Sequence, residues 1–377
     1  MEVKRILHVI GGMNRGGAET MAMNLYRAID KNTIQFDFVV HSADENAYFN
    51  EIEDLGGNIY VFPRFTGINI LSYMKFWDSF LAKHSEYKII HSHVRSYALP
   101  IIQICKMHNR KVIVHSHSTS NGSGIKAIIK DLLQIPIRYK ADYLAACSLT
   151  AGEWLFGKNA TKKEKYLTVK NAIDTRKYII AQDIRDKYVK ELNIVGKDVF
   201  GHVGRLSKPK NHLFLLDVFS KIREKNQNAI LLIVGEGEEK EKINERITEL
   251  NLKDAVLMLG SRSDVPTLLS IMDVFVFPSL WEGLPVTVIE AQAAGLPCLV
   301  SDSITDEINI SPAIHRMKLS EGCQRWAEEA IKLIGKRYDA IQQIEDAGFD
   351  IYSEATKMKE FYLKCWMEDT GFEARRK

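Results

Sequence analysis

Along the chain, short runs of Val, Ile, Leu and Phe recur, each followed by a polar or glycine-containing turn and then by a stretch with helical periodicity. Continuous apolar runs too short to be helices fit strands that are buried on both faces. The pattern predicts strands at 6–10, 36–40, 59–62, 88–91, 112–115, 143–147 and 167–170, and a second series at 199–203, 230–234, 256–259, 274–277 and 298–300. Strands alternating with helices build parallel sheets covered on both sides, so two series imply two doubly wound α/β domains. The charged, helix-patterned segment 175–197 lies between the series and is where a linker is expected. The predicted domains are therefore 1–175 and 176–350. The remaining 351–377, with Phe361, Tyr362, Leu363, Trp366 and Met367, reads as an amphipathic helix in need of a surface to cover.

A length of 377 residues agrees with two cores rather than one. Lys and Arg number 51 against 48 Asp and Glu, a balance of +3 that argues against a nucleic-acid binder and makes any anion recognition local. The five cysteines (Cys105, Cys147, Cys298, Cys323, Cys365) are odd in number and follow no metal or redox spacing, which suits a reduced, cytoplasmic setting. The first apolar run, 6–10, is too short for a signal-peptide core, and no run approaches the roughly 18 residues of a spanning helix.

Candidate chemistry concentrates after strands. The stretch 278–297, PSLWEGLPVTVIEAQAAGLP, follows the predicted strand 274–277, at the carboxyl end where open α/β sheets bind ligands. Pro285 suits the first turn of a helix beginning beside Gly283 and Leu284, whose unpaired N–H groups and dipole would hold a diphosphate. Glu282 and Glu290, one in the loop and one about two turns on, can each accept hydrogen bonds from neighbouring hydroxyls of a sugar ring. A second stretch, GHVGRLSKPKN at 201–211, offers Arg205 as a planar fork and Lys210 as a point charge for phosphate oxygens. After the first strand come Gly11, Gly12, Gly16 and Gly17, which allow close backbone approach but do not spell G-x-G-x-x-G. His91 and His93, then His115 and His117, alternate H-x-H and so put both rings of each pair on one face of a strand. With no Cys or acidic partner at matching spacing, buried and satisfied histidines are the commoner outcome. The stretch 125–140 carries Ile128, Ile129, Leu132 and Leu133 on one side with Lys126, Lys130, Arg138 and Lys140 among the rest; core packing is the default reading and contact with an anionic membrane the alternative.

The segment 278–297 resembles the E-x7-E element of retaining GT-B glycosyltransferases, and the whole chain is similar to family four of that class, of the kind found in bacterial polysaccharide assembly. The resemblance implies two Rossmann-like domains facing across a cleft: an N-terminal acceptor domain, a C-terminal donor domain, and a last helix returning to the first. It implies that Glu282 faces the donor sugar, that Glu290 binds the ribose, and that Arg205 and Lys210 hold the donor diphosphate. It places Gly16 and Gly17 toward donor and acceptor, and His117, or less well His115, near the anomeric carbon. Gly235, Gly237, Ser261 and Arg262 become base and phosphate contacts, although ordinary βα turns would explain them nearly as well. The expected co-substrate is a UDP-sugar, with no cofactor and no metal because no D-x-D occurs where a donor metal would sit. The acceptor would be a glycan, free or lipid-linked, handled in the cytoplasm or at the inner membrane face, and catalysis would fall to Glu282, Arg205, Lys210 and His117. Two rivals are a nucleotide-sugar epimerase on the same architecture, whose clustered acids and bases are not found, and a silent nucleotide-sugar-binding protein.

Overall fold

The computed structural model describes residues 3–14, 16–42, 47–95, 97–118 and 125–373, with the backbone alone at 125–129 and 369–373. Its first unit comprises residues 1–172 and 351–377, its second 173–350. The break thus falls just before the expected linker: 175–197 folds as a 3-10 turn (Thr175–Tyr178) and a helix (Gln182–Glu191) within the second unit. Tyr178 and Ile194 lie in that unit's core, so this stretch has an apolar anchor at either end that its charge content concealed.

The first unit has a parallel sheet in the order β3-β2-β1-β4-β5-β6-β7. Its strands are β1 (Lys4–Ile10), β2 (Ile34–Val40), β3 (Ile59–Val61), β4 (Ile89–Ser92), β5 (Lys111–Ser116), β6 (Tyr143–Ala146) and β7 (Tyr166–Thr168). Alternation along β1 divides the unit into two apolar layers, Ile6 and Ile10 on one face and Leu7 and Val9 on the other. The last helix, Ile351–Glu373, covers the first face with Ile351, Ala355, Met358, Tyr362 and Cys365, spaced alternately four and three apart as one helical stripe. Tyr362 and Met358 are fully buried, and such side chains contribute about 1.5–3 kcal/mol each. One buried charge sits in this sheet: Asp37 on β2, which accepts from Arg5 Nε and Nη2 at 2.5 and 2.6 Å and from the Asn58 amide at 2.6 Å.

The second unit has the order β10-β9-β8-β11-β12-β13. Its strands are β8 (Asp198–Val203), β9 (Ala229–Val234), β10 (Val256–Gly260), β11 (Val274–Phe277), β12 (Cys298–Ser301) and β13 (Ile314–Met317). The edge strand β13 was missed because IHRM has no apolar run; it is only half-buried and pairs on one side with β12. In both sheets the order reverses between two neighbours, β1 and β4 in the first and β8 and β11 in the second. Connections leave such a pair toward opposite faces, opening a crevice at the carboxyl ends. Among the described residues, no helix is long and apolar enough to cross a membrane.

Candidate functional site

The second unit's crevice is built by the loops after β8 and β11, which are tied together. Asn211, in the left-handed region at φ 57°, donates from its side chain to Pro278 O at 3.1 Å, and the Leu280 amide donates to Pro209 O at 2.8 Å. Two sequence-distant groups meet there: Lys210 Nζ lies 2.7 Å from Glu282 Oε1 and 4.7 Å from the centre of the Phe277 ring. Both side chains are about five-sixths buried (15% and 16% exposed), so their attraction is little screened. Thr287 Oγ1, on a residue no sequence signal singled out, is buried and unpartnered in the first turn of the following helix. A carboxylate held by a lysine, with an orphaned hydroxyl five residues on, fits a ligand bearing both hydroxyls and anionic charge.

That helix spans Val286–Ala293, with Pro285 at its cap rather than inside the first turn, so it starts slightly later than expected from Gly283 and Leu284. Pro285 is extended (ψ 95°), and the proline-free turn beyond it begins with Val286. Glu290 projects from the far end of this short helix and accepts from Tyr178 Oη at 2.9 Å. Burial raises the Glu290 carboxyl above its usual value, and Tyr178 partly offsets this. Tyr178 was invisible to motif reading, since it lies 112 residues away.

The other expected donor contacts divide. Arg205 is on the rim, three-quarters exposed, with Nε 3.3 Å from Glu238. Arg262 is committed elsewhere: it makes a two-pronged contact with Asp264 at 2.8 and 2.5 Å, and Asp264 also accepts from Tyr188. It follows β10, the edge strand, so Ser261 and Arg262 stand two strands away from β8. Gly235 and Gly237 serve the backbone first. A Cβ on Gly235 would fall 2.0 Å from Gly204 O, and one on Gly237 would fall 2.3 Å from Leu206 O. Only glycine lets the loop after β9 lie against the loop that carries Arg205 and Lys210.

In the first unit, Gly16 caps the helix Gly17–Ala28 that follows β1, and Gly17 opens it. His91 and His115 are fully buried, while His117 is partly exposed just beyond β5. They join His8 and His93 in one stacked cluster. Two triads, His8/His91/His93 and His93/His115/His117, have ring nitrogens close enough to hold a metal ion. Several of those nitrogens are already engaged with one another, at 2.8 to 3.1 Å. Burial holds His8, His91, His115 and His117 well below the ordinary imidazole value and His93 down to about 3.

A cavity of about 740 Å³ opens at the carboxyl ends of β1 and β2, lined by Gly11, His41, Arg64, Phe65, Tyr97 and Lys130 among others. Tyr97 stacks on Phe65 with centroids 5.5 Å apart, and His41 Nε2 is bonded to Tyr73 Oη at 2.8 Å. Among the described residues the lining has two cations, Arg64 and Lys130, and no carboxylate. Motif reading missed it because its residues come from five separate segments. The stretch 125–140 departs from its default reading: Leu132 and Leu133 are 61% and 53% exposed, and the buried residue beside them is Gln134. Lys126, Ile128 and Ile129 have side chains outside the described residues.

Comparison with known proteins agrees with this division. The profile of "Glycosyltransferase Family 4" matches residues 15–177, and that of "Glycosyl transferases group 1" matches residues 184–307. The putative glycosyltransferase EpsF of Bacillus subtilis is 36% identical over 86% of each chain. A UDP-Gal:alpha-D-GlcNAc-diphosphoundecaprenol alpha-1,3-galactosyltransferase of Escherichia coli is 29% identical over 71% of this chain and 72% of its own. The capsular polysaccharide biosynthesis glycosyltransferase CapH of Staphylococcus aureus is 25% identical over 95% and 98%. Among solved structures, Anabaena Alr3699/HepE in complex with UDP superposes with a TM-score of 0.77 at 18% identity, covering 96% of this chain and all of its own, a likeness of fold.

The burial of Glu290 has a consequence for stability. A carboxyl whose folded value is raised stabilises the fold while protonated, and that contribution disappears as pH rises through the folded value. Glu290→Gln, which keeps the bond from Tyr178 without the charge, is therefore expected to unfold at higher temperature than the parent at pH 8. The gain should vanish below pH 4.5, where both side chains are neutral. Melting curves across this range check it; an equal gain at every pH would show that charge burial is not the cause.

Proposed function

Because the chain belongs to the family-four glycosyltransferases of GT-B architecture, we propose that it moves a sugar from a UDP-sugar to a lipid-linked glycan, retaining the anomeric configuration, without a metal, during assembly of a cell-surface polysaccharide. The observation that carries this reading is the pairing of Lys210 with Glu282 at the second unit's crevice, with the unpartnered Thr287 hydroxyl in the first turn of the helix that follows. The donor diphosphate would displace Glu282 from Lys210 and take the amide groups that open the helix Val286–Ala293, where the helix dipole favours negative charge. Glu282 then turns to the hydroxyls of the sugar, and Glu290, held by Tyr178, takes those of the ribose. Arg205 closes on the diphosphate from the rim. Leaving Glu238 costs little, since exposed ion pairs contribute about 0–1 kcal/mol.

These groups put positive charge where the leaving diphosphate becomes more negative, which is the main electrostatic task of glycosyl transfer. Arg262 would join them only by leaving Asp264. The UDP choice draws on the UDP complexes of the Anabaena protein and on the UDP-galactose named for the Escherichia coli relative. The acceptor choice draws on the diphosphoundecaprenol in that relative's name and on the first unit's cavity, where Arg64 and Lys130 suit phosphate and Phe65 and Tyr97 suit a sugar face. His117 stands at the strand ends of the same unit and is assigned to the reacting sugar.

The direct test incubates the protein with UDP-, GDP- and ADP-sugars and measures released nucleotide. One UDP-sugar should be turned over, equally with and without EDTA, and proton NMR of the transferred sugar should show the donor's anomeric configuration. Activity abolished by EDTA and restored by manganese removes the metal-free reading; no release from any donor removes the transferase reading.

The two glutamates should fail differently. Glu290→Ala is expected to weaken binding of free UDP by about 1–3 kcal/mol, the scale of a charged hydrogen bond. Glu282→Ala should bind UDP at least as tightly as the parent, since no carboxylate need leave Lys210, and lose turnover, because its partner in the reaction belongs to the transferred sugar. Calorimetry and steady-state kinetics decide, and the reverse pattern would exchange their roles.

Exposed Leu132 and Leu133 beside Lys130 suit a membrane surface carrying the acceptor. The double variant Lys130→Glu, Leu132→Glu should sediment with phosphatidylglycerol vesicles at least about fivefold less than the parent, by loss of one charge attraction and one buried apolar side chain. Equal sedimentation removes this stretch from the membrane account.

A further inference from the structure

The strand that leads to Arg205 and Lys210 carries His202, fully buried one residue before the end of β8. Its Nδ1 lies 2.9 Å from the carbonyl oxygen of Val276 on the neighbouring strand β11. A carbonyl oxygen can only accept, so Nδ1 carries a proton. Burial keeps the ring neutral, and a neutral imidazole has a single N–H. Nε2 is therefore a bare lone pair. Among the described residues that atom is buried and has no hydrogen-bond partner.

What the lone pair faces is given by the space at Gly204. A Cβ on that glycine would stand 3.3 Å from His202 Nε2, 3.2 Å from Lys210 Cε and 3.4 Å from Lys210 Cδ. The bare nitrogen and the end of the lysine stem thus converge on the gap that glycine leaves open, and the ammonium is one bond beyond Cε. The Phe277 ring adjoins both groups. His202 stacks on it with centroids 5.3 Å apart, and Lys210 Nζ is 4.7 Å from its centre.

Lys210 accordingly has two kinds of neighbour, the carboxylate of Glu282 and an uncharged seat made of a ring and a lone pair. Lysine is a point charge on a flexible four-carbon stem, and with Glu282 as its only anchor it would lose its place whenever that carboxylate turned elsewhere. A carboxylate also cancels the charge it holds. A ring face and a lone pair attract an ammonium through a quadrupole and a dipole, little screened at this depth, and leave its whole charge in place.

We propose that His202 is a positioning residue for Lys210: its bare Nε2, aimed across Gly204, keeps the ammonium in the crevice when Glu282 departs, so that the full charge of Lys210 meets the donor diphosphate. The diphosphate half of this inference rests on the transferase reading above; the seat of Lys210 does not.

Long-range proton–nitrogen NMR of the full-length protein labelled with 15N-histidine tests the seat without any nucleotide. The His202 signals are assigned by their loss in His202→Phe or, where that variant does not fold, in His202→Gln. A protonated Nδ1 and a bare Nε2 are expected, and the opposite tautomer overturns the proposal. In Lys210→Met the Nε2 signal should move, and an unmoved signal shows that the lone pair does not meet the lysine, which also overturns it. In Glu282→Ala the signal should stay at the parent's position. A move there to the position seen in Lys210→Met means that Glu282 alone holds the lysine, and the positioning role falls.

Calorimetry then tests the diphosphate half. His202→Phe keeps a ring beside Phe277 but offers no acceptor, and should bind UDP about tenfold more weakly than the parent while binding uridine equally well. Added to Lys210→Met, the same change should weaken UDP no further, because His202 acts through the lysine. Parent-like UDP binding by His202→Phe, an additive loss in the double variant, or an equal loss for uridine each overturns the proposal. If the parent itself does not bind UDP, the transferase reading falls, and the NMR results still decide whether His202 seats Lys210.

Discussion

A parallel sheet covered by helices on both faces spends its backbone polar groups within the sheet, and its side chains are sealed into two apolar layers. Polar chemistry then has few outlets, chiefly the carboxyl ends of strands where the order reverses and a crevice opens. Both units of this chain obey that constraint. In the second unit the reversal lies between β8 and β11, and the loops that follow those strands bring Lys210 to Glu282. In the first it lies between β1 and β4, where the glycine loop, the histidine cluster and the Arg64–Lys130 cavity gather.

Groups at such crevices are half withdrawn from water, and each needs a partner. Glu290 has Tyr178, and Glu282 has the charge of Lys210 while one of its oxygens lacks a hydrogen bond. Of the five clustered imidazoles, His8, His91, His93 and His115 are buried, and the cluster relies mainly on its own members. Burial forbids their charged forms, so what remains to be chosen is the direction of their hydrogen bonds. By contrast, the most buried ion pair, Arg5 with Asp37, is fully satisfied by a fork and a backbone amide and serves the fold alone.

Much of this organisation was legible in one dimension. Apolar runs marked twelve of the thirteen strands of the described residues, because a strand buried on both faces must be apolar throughout; β13 escaped because an edge strand need not be. The loops carrying Glu282, Glu290, Arg205 and Lys210 were found by their place after such runs and by their glycines and prolines. The reading of 125–140 went astray at Leu132 and Leu133, since periodicity records that a helix has an apolar side but not what that side faces.

The sequence by itself determined the two α/β series, the strand-end loops and the residue types able to meet phosphate and sugar, since these depend on local spacing and on side-chain chemistry. Only the tertiary structure decided which residues share a site. It brought Tyr178 to Glu290 across 112 positions, gave Arg262 the carboxylate of Asp264, showed Gly235 and Gly237 to be demanded by backbone packing, and lined His8 up behind His93 and His117. The reason is the parallel sheet itself: its neighbours are distant in the chain, and a hydrogen bond across 85 residues, such as that from His8 to His93, leaves no periodic trace.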